Sequence, residues 1–73
     1  MTIDIILKII RKELNVSQES LARDLNVSFT TLNRWENNHT KPSRLAMIQI
    51  KDYCVGKGVS ADIIAALDAP NRS

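Results

Sequence analysis

The stretch from Ser17 to Pro42, SQESLARDLNVSFTTLNRWENNHTKP, constrains this chain most. Its apolar residues recur at helical spacing in two short runs: Leu21, Ala22 and Leu25, then Leu32 and Trp35. Between the runs, Asn26, Val27 and Ser28 leave room only for a tight turn. Two helices joined so closely cross at a steep angle. The crossing needs a small residue where the helices touch, which Ala22 supplies. The turn needs a residue that tolerates positive φ, and Asn26 is the best choice after glycine.

The remaining sequence predicts more helices with short joints, and neither strand alternation nor an internal repeat is present. A first helix is predicted over Ile3–Leu14, with Thr2 as cap and Asp4 at its positive end. Ile3, Ile6, Leu7, Ile10 and Leu14 share one face of it, and Asn15 takes the left-handed position that follows. The second helix is predicted over Gln18–Leu25, capped by Ser17, stopped at Asn26 and plugged by Val27. The third spans Phe29–Asn37, capped by Ser28 and ended by Asn38. Pro42 forbids a continuous helix through the next joint. Ser43 caps a fourth helix from Arg44 to about Cys54, after which Gly56 and Gly58 break the chain. Ser60 caps a fifth over Ala61–Asp68. One all-α domain over residues 1–69 is expected, followed by a frayed polar tail at 70–73.

A chain of 73 residues buries only about 60% of its unfolded surface, which leaves little room for a deep cleft. Its single cysteine and single histidine make neither an internal disulfide nor a zinc site. No phosphate-binding glycine loop, nucleophile–base pair or metal cluster is legible, so neither an enzyme nor a cofactor is expected. Glu13 and Asp24 read as solvated helix charges, and Cys54 as a small core residue. No apolar run is long enough to cross a bilayer and no signal-peptide pattern follows Met1, so a cytoplasmic setting without membrane partners is expected. No segment suggests a small-molecule ligand.

The net charge of +2 does not by itself point to nucleic acid, but its distribution does. The window from Ser28 to Lys51 holds Arg34, Lys41, Arg44 and Lys51 against Glu36 alone, a net +3 that leaves −1 for the rest. A local positive patch of this kind suits a phosphate backbone, although a solvated basic surface has the same composition. On the third helix, at 100° per residue, Leu32 and Trp35 point one way and Thr30, Asn33, Arg34 and Asn37 the other. The outward residues are types that bond to base edges: a guanidinium pairs with guanine, an amide with adenine, and a threonine methyl meets thymine.

At these residues the segment from Arg11 to Pro42 resembles the Cro/C1-type (XRE-like) helix-turn-helix family of phage repressors and bacterial regulators. The shared pattern is Ser17-Gln18-x-x-Leu21-Ala22, then Val27-Ser28, then Trp35-Glu36-Asn37, then Lys41-Pro42. With the flanking helices the likeness covers nearly the whole chain. Asn26 and Asn38 depart from it, standing where the family usually has glycine. The resemblance implies a compact five-helix bundle of the lambda-repressor-like DNA-binding type, with double-stranded DNA as partner and transcription regulation as function, as a Cro-like regulator or a stand-alone repressor domain, with repression and activation both open.

The resemblance also implies roles. Phe29, Thr30, Asn33 and Arg34 are expected to read bases, Arg34 foremost. Phe29 is equally a staple against a neighbouring helix, and Asn33 nearly equally a solvated amide. Gln18, Ser28, Thr31, Asn37, His39, Thr40, Lys41 and Arg44 are expected at the DNA backbone, where contacts position the protein without reading sequence, and Gln18 is also expected to brace the start of the third helix. About four phosphates per subunit would give a log–log salt slope near −3.6. Arg11 and Glu36 match positions that form a partly buried ion pair in the resembling repressors.

Ile5, Ile9, Leu45 and Ile48 fall outside the best apolar stripes of the first and fourth helices. They either seal the fifth helix or form a partner surface. A symmetric homodimer through the C-terminal half is the expectation on the second reading. The alternative function is a protein-interaction module on the same scaffold, such as an antitoxin or an accessory protein.

Overall fold

The computed structural model describes residues 1–68. The tail assigned above to 70–73 lies outside the described residues. Five helices follow one another: α1 (Ile3–Leu14), α2 (Gln18–Asp24), α3 (Phe29–Glu36), α4 (Arg44–Lys57) and α5 (Ala61–Leu67). No strand occurs among the described residues. α1 packs on α3 and α5, α2 on α3, and α4 on α5.

Serine side chains start three of the helices. The Oγ atoms of Ser17, Ser28 and Ser43 accept backbone N–H bonds from Ser20, Thr31 and Ala46 at 3.0, 3.0 and 3.1 Å. Each satisfies one of the orphan donors of a first turn. Four helices stop alike, at a left-handed residue: Asn15 (φ 55°), Asn26 (φ 59°), Asn38 (φ 58°) and Gly58 (φ 75°). After each stop the next residue's N–H returns to a carbonyl five positions back, as Val16 to Arg11, Val27 to Ala22, His39 to Arg34 and Val59 to Cys54. The three valines turn in against the core, whereas His39 is exposed.

That core is aliphatic with one tryptophan. Ile3, Ile6, Leu7 and Ile10 of α1 meet Leu21, Ala22 and Leu25, Leu32 and Trp35, Ile50 and Cys54, and Val59, Ile63 and Leu67. Burial pushes the Cys54 thiol up to about 11, with Glu13 nearby adding to the shift. The group is therefore a neutral, unreactive core filler at neutral pH.

Several local expectations need correction. α4 runs to Lys57, so Gly56 lies inside the helix and only Gly58 breaks it. α2, α3 and α5 each end one residue earlier than expected. Thr2 occupies the N-cap position of α1 without a side-chain cap bond. Its hydroxyl instead sits beside Asp4 and holds that carboxyl below its usual value. Ser60 does not cap α5 either. Its Oγ and backbone N–H donate to the two oxygens of Glu13 at 2.8 and 3.0 Å, clamping the start of α5 to α1. Asp24 likewise accepts from the Tyr53 hydroxyl at 3.1 Å. Neither carboxylate is the free helix charge expected from the sequence.

One ion pair joins α1 to α3. Arg11 Nε donates to Glu36 Oε2 at 2.9 Å, and Arg11 Nη2 to Glu36 Oε1 at 2.7 Å. Glu36 is 2% exposed and Arg11 28%. The parallel double bond fixes angle as well as distance. Glu36 is the sole buried charged residue among those described, so its desolvation is offset by Arg11 alone.

Two stability measurements follow. Arg11→Ala strands a buried carboxylate and should cost about 3 kcal/mol, the low end for buried pairs because Arg11 keeps some water. Arg11→Met combined with Glu36→Leu should recover most of that loss in denaturant unfolding. Gly56→Ala should stabilise by about 0.5–1 kcal/mol, because a Cβ there meets nothing within 4 Å and the helix gains rigidity. A destabilised Gly56→Ala variant would contradict the assignment of Gly56 to α4.

Candidate nucleic-acid interface

α3 is two turns long and sided by its sequence. Leu32 is 0% exposed and Trp35 6%, and with Glu36 they form its inner face. Ala22, 3% exposed, provides the small contact that lets α2 cross beneath it. Inward burial of these residues turns the others out. Phe29, Thr30, Arg34 and Asn37 are exposed, as are His39, Thr40, Lys41 and Arg44 in the joint and at the start of α4.

Phe29 is 51% exposed, so it does not staple a neighbouring helix as a core aromatic would. It opens α3 beside Thr30, with Ser28 as cap. The Ser28 hydroxyl is fully engaged: Oγ accepts from the Thr31 N–H and donates to Thr31 Oγ1 at 2.8 Å. The hydroxyl left with a proton to give is that of Thr31.

Three amides line up along the same face. Asn33 Nδ2 donates to Gln18 Oε1 at 3.2 Å, and Asn37 Nδ2 donates to Asn33 Oδ1 at 3.0 Å. The ladder ties the first turn of α2 to both turns of α3. Both ends of the half-buried Asn33 amide are engaged within the protein. Gln18 contributes its oxygen and retains its NH2 group for an acceptor outside. The Asn33–Asn37 rung is a local i,i+4 pair and the resemblance implies a bracing role for Gln18, but the partner of Gln18 is set only by the crossing of α2 and α3.

The basic patch is smaller and cleaner than the sequence count suggests. Lys51 pairs with Asp68 at 2.6 Å, and Glu36 is neutralised from outside the window by Arg11. Arg34, Lys41 and Arg44 remain, exposed and without an ion-pair partner among the described residues. They follow one another from the last turn of α3 to the first residue of α4. A groove of about 280 Å³ is lined by Lys41 and Arg44 together with Ile3, Pro42, Met47, Leu67 and Asp68, and Arg34 is not part of it. Its lining carries no hydroxyl, thiol or imidazole. No cluster of three His, Cys, Asp or Glu side chains suited to a metal occurs among the described residues. No helix among them is long and apolar enough to cross a membrane.

A protein-family model described as helix-turn-helix matches residues 7–54, about two thirds of the chain. Comparisons with curated proteins and with solved structures return no match. The match spans the crossing of α2 and α3, the exposed cationic joint and most of α1 and α4. The chain therefore belongs to the Cro/C1-type helix-turn-helix family, DNA-binding domains of the lambda-repressor-like all-α fold.

Proposed function

We propose that the protein is a sequence-specific regulator of transcription that inserts α3 into the major groove of double-stranded DNA. One observation carries this reading: the inner face of α3 is wholly taken up by the core, while Phe29, Thr30 and Arg34 project from the other side near Lys41 and Arg44, which have no ion-pair partner among the described residues. The N-terminal residues of a recognition helix lie deepest in the groove, which suits Phe29 and Thr30 to thymine methyl groups. Arg34 is the guanine reader, with two donors matched to O6 and N7. Asn33 acts chiefly as a brace, since its amide is already engaged by Gln18 and Asn37. Gln18, Thr31, Asn37, His39, Thr40, Lys41 and Arg44 face the backbone and set the docking angle. Ser28 supports them through its bond to Thr31.

The experiment is selection of bound duplexes from a random library, followed by affinity measurements on the selected site. The wild-type chain should recover one consensus. Arg34→Ala should lose about 1–3 kcal/mol of discrimination at a single base pair. Asn33→Ala should instead weaken all duplexes, because it loosens α3 against α2. The salt slope should be about −1.8 per subunit, one increment for each of the two cations assigned to phosphate, Lys41 and Arg44, and Lys41→Ala should reduce it by about 0.9. A random library that yields no consensus, or an Arg34→Ala variant with the wild-type preference, would contradict the reading.

A further inference from the structure

The outward face of α3 carries one side chain that can make no hydrogen bond. Phe29 is 51% exposed and belongs neither to the core nor to the apolar residues packed against it. Thr30, Arg34 and Asn37, exposed on the same helix or at its end, are all polar. Phe29 is also the first residue of a helix whose opposite side is buried, so its place is fixed together with that helix.

The polar groups on either side of Phe29 are already committed. The Ser28 hydroxyl before it accepts from the Thr31 N–H and gives its proton to Thr31 Oγ1. The Asn33 amide one turn on is held at both ends, by Gln18 and by Asn37. A base pair lying against Phe29 is therefore met by carbon. In the major groove the one apolar group that any base presents is the C5-methyl of thymine. A phenyl ring senses that methyl and not the hydrogen-bonding edge of the base that bears it. Cytosine methylated at C5 carries the same group at the same ring position, whereas plain cytosine and uracil carry hydrogen there. Thr30 also has a methyl to offer, but its hydroxyl gives it a polar alternative that Phe29 lacks.

We propose that Phe29 reads the C5-methyl of a pyrimidine, so that DNA binding by this chain responds to methylation of cytosine at C5. Such reading requires α3 in the major groove, as proposed above, and adds to it a chemical mark on the DNA. At the position facing Phe29, thymine and 5-methylcytosine are accepted and unmethylated cytosine is disfavoured. Removing one methyl group from contact should weaken binding about fourfold, a change that grades occupancy.

The experiment measures the affinity of the whole chain for its selected duplex and for modified copies of it. Each thymine is replaced singly by uracil, which removes the methyl and leaves the hydrogen-bonding edge intact. One such replacement should weaken binding about fourfold. With a cytosine–guanine pair at that position, adding the C5-methyl to the cytosine should strengthen binding about fourfold. Phe29→Ala, too short to reach the methyl, should bind the thymine and uracil duplexes alike, and the methylated and plain cytosine duplexes alike. The same variant should keep the wild-type preference at the base pair read by Arg34, which reports that it is folded and docked. A clear consensus at which neither uracil nor C5-methylation alters wild-type binding would overturn this proposal alone and leave the placement of α3 standing. A methyl effect that survives Phe29→Ala would assign the contact to Thr30 and equally overturn it. A selection without any consensus would overturn the placement of α3 and methyl reading with it.

Discussion

Helix α3 is eight residues long, too short to persist in water by itself. Everything it presents outward depends on what holds it from within. Leu32 and Trp35 are buried against α1 and α2, and Glu36 is locked by two bonds to Arg11. Apolar burial sets which way the helix faces, and the ion pair sets its angle against α1. Hydrophobic contact alone is non-directional, so two turns of helix held only by two side chains could roll. The bidentate pair resists that motion at the C-terminal end, and the bond from Asn33 to Gln18 resists it nearer the middle. Thr30 and Arg34 thus ride on a rigid element, the condition for reading base edges to within a hydrogen-bond length.

The joints obey a second constraint. Three asparagines and one glycine end helices in the left-handed region, and three of the four are followed by a valine that turns inward. Each joint is thereby both a stop and a small core contact, which suits a chain with little interior to spare. The exception follows α3, where Asn38 is succeeded by His39. An apolar plug there would pull the chain back to the core. A polar residue leaves the joint on the surface, where Thr40, Lys41 and Arg44 are displayed beside α3. The departure from the internal pattern thus falls in the joint that leads into the proposed backbone contacts.

The periodic features of this fold were legible in the sequence, and the features made by distant partners were not. Helix starts could be read from single residues, because Ser17, Ser28 and Ser43 act on the backbone three positions on. The left-handed stops could be read for the same reason. Gly56 misled because glycine resembles a break wherever it stands, whereas the break is made by the residue with positive φ, Gly58. Ser60 misled because a carboxylate 47 positions away outcompetes the local cap. The patch was overcounted because Lys51 finds Asp68 only once α4 and α5 pack together. Of the amide ladder, the Asn33–Asn37 rung is local, whereas the choice of Asn33 as the residue that Gln18 braces is made by the crossing of α2 and α3. Within the candidate interface, the sequence carried which residues face outward, and the fold decided which of them are free.

The most direct test is an NMR titration of the isotopically labelled chain with its selected duplex, following each backbone amide. The largest perturbations should fall on Gln18, on Ser28 through Arg34, on Asn37 through Lys41, and on Ser43 and Arg44, with the exposed side of α1 at Lys8 and Lys12 unchanged. Perturbations centred on α1 or α5, with α3 undisturbed at saturation, would contradict the claim that the packed inner face of α3 exists to present its outer face to DNA.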